Sequence, residues 1–179
     1  MGYIDDHRPP EGWSTDTPEW FEEQATALLA KLLEHGAQVD CILRDAPEFV
    51  DIFVAPESHP NLSQPERALI LERKLLAAMR RCAYRSRRYR GMDSVLFGLS
   101  GPSHVRRAPL KERKAAAARH CGIKPESFSR RHITACVQSI AVNFEQIERP
   151  SDYELSDPKL RKRRELEQAR IYKGFERPV

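Results

Sequence analysis

The sequence is organised around residues 110–144, which read LKERKAAAARHC, then GIKPES, then FSRRHITACVQSIAVNF. The alanine-rich first part favours a helix that a neighbouring helix can approach closely. Gly122 suits the end of that helix, and Pro125 suits the first position of the next one. The pattern therefore predicts two helices joined by a short turn, with the second helix running to Phe144.

The order of apolar and charged residues in this stretch indicates which faces are buried. Leu110 and some of the alanines are expected to face inward, while the charged residues 111–114, Arg113 among them, are expected to stay outside. In the second helix, side chains at helical spacing predict an inward stripe. They are Phe128, Ile133 (or His132), Ala135, Cys136, Ser139, Ile140 and Phe144.

Start signals place two more helices earlier in the chain. Thr17 fits an N-cap and Pro18 a first helical position, and the apolar spacing that follows predicts a helix to about residue 34. Ser63 and Glu66 have the spacing of a capping box, in which each side chain bonds a free backbone amide. A second, longer helix is predicted to begin there.

The segment between these two helices is open to two interpretations. Pro47 interrupts it, and a short apolar run extends from Phe49 to Val54. We favour two short helices. A strand through the apolar run is the alternative, although no other β-branched run lies nearby to pair with it. Near the C-terminus, Asp157 and Pro158 predict the start of a charged, peripheral helix.

These elements predict an all-α protein, a compact bundle of five to seven helices that contains a helix-turn-helix-like unit. Four parts are expected along the chain. Residues 1–16 form a flexible N-terminal arm, 17–62 an acidic helical part, 63–150 a basic helical part with the helix-turn-helix-like unit at 110–144, and 151–179 a charged C-terminal helix and tail.

Charge is distributed unevenly over these parts, although the net charge is only +4. Residues 1–66 carry three basic and fourteen acidic side chains, whereas residues 67–179 carry 27 basic and 12 acidic ones. Such asymmetry indicates a polyanionic partner for the second part, or two regions of one fold that attract each other.

The densest basic run lies in the helix predicted to begin at Ser63, which we expect to reach about Tyr89. From Arg73 to Arg90 there are eight basic residues and no acidic one. A helix C-terminus favours one or two cations, but eight without a compensating acid repel each other. Arginines interleaved with tyrosines would suit phosphates and stacked bases, so an anionic partner is expected here.

Several classes of function find no support in the sequence. No apolar run approaches the roughly 20 residues of a membrane span, and the N-terminus lacks the features of a signal peptide, so a cytoplasmic location is the expectation. The GLSG string lacks the lysine and hydroxyl of a phosphate-binding loop. We expect neither an enzyme nor a bound cofactor, because no nucleophile or acid–base motif occurs.

The four cysteines form no CxxC pair and are expected to be free thiols in the core. A metal site is conceivable only around His132 and Cys136, which share a helix face, with His120 or Cys121 approaching from the preceding helix. Core or capping roles are commoner for such residues, so no metal is predicted.

Residues 96–133 read LFGLSGPSHVRRAPLKERKAAAARHCGIKPESFSRRHI. This run resembles a module of uncharacterised actinobacterial proteins with the patterns LFGL, L-x-x-R-x-x-A-A and G-I/V-x-P-x-(S/T)-F-x-x-R. The resemblance implies a helix-turn-helix or winged-helix-like shape, in proteins associated with regulation or antiphage defence. The matching positions are Leu96, Phe97, Gly98, Leu99, Leu110, Arg113, Ala116, Ala117, Gly122, Ile123, Pro125, Ser127, Phe128 and Arg131.

The favoured hypothesis is therefore a non-enzymatic regulator, of transcription or phage defence, that binds nucleic acid, in the first place double-stranded DNA. The second predicted helix of the unit would enter the major groove with its first residues at base edges. The alternative is a helical adaptor whose basic surface docks an acidic protein, and a homo-oligomer is compatible with either. The candidate binding residues are Arg80, Arg81, Arg85, Arg87, Arg88, Arg90, Arg106, Arg107, Lys111, Lys114, Lys124, Ser127, Ser129, Arg130, Arg131, Lys162 and Arg163.

Overall fold

A computed structural model describes residues 17–83 and 87–178, and in these ranges the protein is all-α. The predicted fold class is therefore confirmed, but ten helices are present in the described residues instead of five to seven, because prolines and glycines break the chain into shorter pieces. The predicted N-terminal arm lies outside the described residues. The helices are α1 (Pro18–His35), α2 (Val39–Asp45), α3 (Pro47–Phe53), α4 (Gln64–Arg81), α5 (Met92–Leu96), α6 (Ser103–Arg106), α7 (Leu110–His120), α8 (Arg130–Glu148), α9 (Asp152–Ser156) and α10 (Pro158–Ile171).

The early start signals act as predicted. The Thr17 hydroxyl accepts a hydrogen bond from the amide of Trp20, and α1 follows. Ser63 and Glu66 form a reciprocal capping box at the start of α4. The segment between these helices folds as α2 and α3, so the two short helices are confirmed and the alternative strand is wrong.

One hydrophobic core unites helices from the acidic and the basic parts of the chain. Helix α8 lies at its centre and packs against α1 and α4. The Phe144 ring stacks on Phe21 of α1, with centroids 5.6 Å apart, and meets Phe53 of α3 edge-on at 4.9 Å. Burial of such rings contributes about 2–3 kcal/mol each, so α8 is fixed by contacts with helices distant in the sequence.

Helix α4 ends at Arg81, eight residues before the predicted end near Tyr89. Cys82 leaves the helical conformation, and a separate 3₁₀ turn forms at Arg87–Tyr89. The chain bends away because the end of α4 packs against the C-terminal helices, while Arg90 contacts His120 at the end of α7. A continuous helix could not satisfy both contacts.

The LFGL segment forms a tight corner between α5 and α6. Gly98 has a φ of +73°, and a Cβ at this position would lie 2.5 Å from the carbonyl oxygen of Arg106. The carbonyl oxygen of Phe97 accepts a hydrogen bond from the amide of Ala37, and the side-chain amide of Gln38 donates to Gly98 and Arg106. The corner therefore joins α1 and α2 to the start of the α7–α8 unit.

Arg113 corrects the prediction that residues 111–114 stay outside, because its side chain is completely buried. Its guanidinium donates to the carbonyl oxygens of Leu33 and Glu34 at 2.7 Å each, to Ala108 at 3.0 Å, and to Leu96. Burial lowers the pKa of this guanidinium. The residue is hidden because the ends of α1 and α5 leave carbonyl groups that need donors.

Other expected positions also differ. Lys74, counted in the basic run, is buried and donates to Phe53, with Glu148 2.6 Å away. Ala135 was expected to face inward and is exposed. Pro125 begins a single 3₁₀ turn, and α8 starts only at Arg130, because Ser129 and His132 cap it there.

The C-terminal helix starts at Asp157 and Pro158 as predicted, with the Asp157 carboxylate accepting from two backbone amides. It packs on α4 and on the short α9, which was not predicted. Arg164 of α10 donates to the carbonyl oxygen of Ile147 at 2.8 Å, near the end of α8. The described residues contain no helix with the length and hydrophobicity required to span a membrane.

Candidate nucleic-acid interface

Helices α7 and α8 are joined by nine residues, 121–129, which is longer than the three or four residues of a typical helix-turn-helix. The amides of Cys121 and Ile123 both bond to the carbonyl oxygen of Ala118, so α7 closes with a tight turn. Phe128 is buried and its ring stacks on that of His132. Two helices and a fixed connection are therefore present, and their assignment as a helix-turn-helix unit stays a prediction.

The first turns of α8 present a polar outer face. Five of their side chains are exposed at steps of one, three or four residues, and none is acidic. Helical periodicity places the last four of them along one stripe, opposite the stripe of Cys136 and Ile140 that enters the core. The five residues are Arg130, Arg131, Thr134, Ala135 and Gln138.

Ser129 is exposed but takes part in the start of α8. Its amide donates to Nδ1 of His132 at 3.1 Å, and its hydroxyl lies 3.0 Å from the same atom. The His132 ring therefore acts as a cap that fixes the orientation of the first turn. Lys124 and Ser127 are exposed on the connection without a described partner. Glu126 is the only acidic residue between positions 121 and 144.

The structure brings part of the basic run against this unit. Nε2 of His120, at the end of α7, lies 2.7 Å from the carbonyl oxygen of Arg90. Arg87, Arg88 and Arg90 are all exposed. Burial raises the pKa of the Cys121 thiol, and the charge of nearby Arg88 opposes that shift. The turn that carries these arginines therefore lies against the end of α7, where the connection to α8 begins.

We call this group the turn-side surface. It unites three segments: the turn after α4, the α7–α8 connection and the first turns of α8. Its cations come from distant parts of the sequence, and the outer face of the first turns of α8 carries no acidic residue. Its members are Arg87, Arg88, Arg90, Lys124, Ser127, Arg130, Arg131, Thr134 and Gln138.

A second group of candidates lies at the opposite end of α7, whose eleven residues extend about 16 Å. Arg106, Arg107 and Lys111 line an open cavity of about 840 Å³ between α1, α2 and the start of α7. Arg107 pairs with Asp40 at 2.8 Å, and this hydrogen bond lowers the pKa of Asp40. Lys114 is half-buried on α7. None of these four belongs to the turn-side surface.

A third group lies where α10 packs on α4. The Arg81 guanidinium is engaged internally: it pairs with Glu154 at 2.8 Å and with Glu167 at 2.6 Å, and its side chain is only 14% exposed. It therefore fixes α9 and α10 to α4. Arg80, Lys162 and Arg163 are exposed in this region. Arg85 lies outside the described residues.

Sequence reasoning did not select Thr134 and Gln138. The signal was available, because they follow Arg131 at steps of three and seven residues and so share its helix face. Charge does not indicate these two residues, because neither side chain is ionisable.

No group of three or more His, Cys, Asp or Glu side chains suited to a metal ion occurs among residues 17–83 and 87–178. Cys136, one half of the conceivable site, is completely buried in the core. None of the four cysteines forms a disulfide bond; Cys41, Cys121 and Cys136 are buried as predicted, whereas Cys82 is only partly buried. Comparison of the chain with protein-family models, with curated proteins and with solved structures found no match.

Proposed function

We propose that this protein binds double-stranded DNA through the turn-side surface and that it catalyses no reaction. The proposal is supported by the contact of the turn that carries Arg87, Arg88 and Arg90 with the end of α7, and by the acid-free outer face of the first turns of α8. A major groove about 12 Å wide admits one α-helix, and cations beside that helix can contact the flanking phosphates.

In this arrangement the start of α8 lies in the groove. Arg130 and Arg131 are placed to donate to the acceptors of guanine, and Thr134 and Gln138 continue the same face toward neighbouring bases. Arg87, Arg88, Arg90 and Lys124 contact phosphates, which positions the helix without selecting a sequence. A regulatory role in transcription or in phage defence is the biological context that the sequence resemblance suggests.

The test compares two double variants that remove the same charge. Arg130→Ala with Arg131→Ala should weaken binding to a labelled random duplex by about tenfold or more, because each lost charged contact contributes roughly 1 kcal/mol. The matched control, Arg161→Ala with Lys162→Ala on the exposed face of α10, should change affinity by less than about threefold. Equal losses in both variants would show that α8 has no special place in binding.

A second function, protein docking, is favoured by a different observation. Between α4 and α10 lies a groove with an apolar floor and an arginine rim, which suits an acidic protein surface better than a duplex.

A further inference from the structure

The groove between α4 and α10 combines an apolar floor with a positively charged rim. It encloses about 200 Å³. Ala77 and Ile171 form a buried floor, and Leu76 is partly exposed. Leu166, on its edge, is 57% exposed, a high value for a large apolar side chain. Covering a leucine at such a position with a partner removes apolar surface from water, which stabilises the complex.

The rim of the groove is positively charged. Arg80, Arg163 and Arg170 line it, all three are exposed, and none forms an ion pair with a described residue. The one carboxylate in the lining, Glu167, is occupied by Arg81. An occupant that presents apolar side chains next to carboxylates would therefore complement both the floor and the rim.

The same chain presents such a segment on α9. Tyr153 is 70% exposed and Leu155 is 45% exposed, and the exposed carboxylate of Asp152 lies beside them. Together with Val142 and Leu166 they are the exposed large apolar side chains of the described residues. Three of these four thus lie on α9 and α10, so apolar surface is concentrated in this region.

The exposed segment of α9, residues 152–155, and the groove lie next to each other. Arg81 and Arg163 line the groove, and both also line a second cavity, whose wall includes Tyr153 and Glu154. A two-fold axis between the two features would bring each segment to the groove of a second copy. This is the self-complementary arrangement that a symmetric dimer requires.

We propose that the protein self-associates through this face, with Tyr153 and Leu155 of one copy against Leu166 and the arginine rim of the other. The contact is small and partly ionic, so the dimer dissociates on dilution and in high salt. The proposal is independent of nucleic-acid binding, because the turn-side surface takes no part in it.

The experiment is sedimentation velocity on the full chain over a dilution series, at low and at high salt. At high concentration and low salt, the sedimentation coefficient of the wild type should correspond to twice the chain mass. It should shift toward the value of the monomer on dilution or when salt is added. Leu166→Glu places a carboxylate opposite Asp152, and Tyr153→Arg places a cation opposite the arginine rim, so each should abolish the dimer. Both positions are exposed, and circular dichroism would verify that each variant keeps its helix content.

Val142→Glu is the matched control, since Val142 is a large exposed apolar residue on α8, 40% exposed, and lines neither of the two cavities. It should leave the dimer unchanged. Three results would overturn the proposal: a wild type that stays monomeric up to its solubility limit, a dimer that survives both the Leu166 and the Tyr153 substitution, or a dimer lost equally in the control. A monomer would assign the groove to another protein or to no partner.

Discussion

Nε2 of His120 lies 2.7 Å from the main-chain carbonyl oxygen of Arg90, and this contact joins the end of α7 to the basic turn that follows α4. The carbonyl needs a donor, so the ring carries its proton on Nε2. The hydrogen bond holds the turn that carries Arg87, Arg88 and Arg90 against the end of α7.

Replacing His120 should therefore weaken DNA binding without removing a DNA contact. His120→Ala frees the arginine turn, and the loss of one hydrogen bond, about 1 kcal/mol, predicts an affinity reduced by up to about fivefold. His104→Ala, at an exposed position on α6, is the control and should bind as the wild type does. Fluorescence anisotropy with a labelled duplex measures both; an unchanged His120→Ala would show that the contact does not shape the surface.

Glu126 gives a prediction of opposite sign. It is the one carboxylate within residues 121–144, and it is exposed. Glu126→Gln removes repulsion from phosphates, so affinity for duplex DNA should rise by about two- to threefold at low salt.

The chain contains a closely matched control for this change. Glu57 occupies the middle of another Pro-Glu-Ser 3₁₀ turn, at Pro56–Ser58. Glu57→Gln should leave affinity unchanged. If both substitutions raised affinity equally, the effect would come from net charge and not from the position of the turn-side surface.

Much of the fold follows from local signals in the sequence. The caps at Thr17, Ser63 and Asp157 act as predicted, because a cap bonds amides within three residues and depends on little else. The division of α2 from α3 likewise follows from one proline.

The features that were not predicted depend on distant contacts. The early end of α4 reflects partners on α7, α9 and α10. The burial of Arg113 reflects carbonyl groups at the ends of α1 and α5, which no helical pattern around residue 113 reveals. For the candidate site, the sequence indicated the basic side chains, but it did not reveal that Arg81 forms internal ion pairs with Glu154 and Glu167.

Arg113 should be essential for stability. Arg113→Leu keeps much of the side-chain volume but leaves four carbonyl oxygens without their donor, so the free energy of unfolding should fall by at least about 3 kcal/mol. Arg119→Leu, an exposed arginine on the same helix, should change it by no more than about 0.5 kcal/mol. Urea denaturation compares the two variants, and a similar small effect in both would contradict the structural role of Arg113.

His59 should make stability depend on pH. It is buried against Tyr172. Burial lowers its pKa from the ordinary 6.5, and the positive charges of Lys74 and Arg67 lower it further, whereas the negative charge of Glu148 opposes the shift. Between that value and the lower folded pKa, the unfolded chain binds a proton that the folded protein does not. The contribution of the neutral His59 ring to the free energy of unfolding is therefore fully present above about pH 6.5, and it is lost as the pH falls through this window.

His59→Gln should remove part of that pH dependence, whereas His104→Gln, at an exposed position, should preserve it. Thermal unfolding from pH 7.5 to 5 measures the difference. A wild-type slope that is unchanged in His59→Gln would assign the pH dependence to other groups.

The turn-side surface is proposed to bind DNA by replacing counterions on phosphates. The most direct test is a titration of wild-type affinity for a random duplex against salt concentration. With about four to six phosphate contacts, the slope of log K against log salt should be roughly −4 to −5, and it should become shallower by about one for each phosphate-contacting arginine removed from Arg87, Arg88 and Arg90. No binding at low salt, or an affinity that does not vary with salt, would contradict the claim.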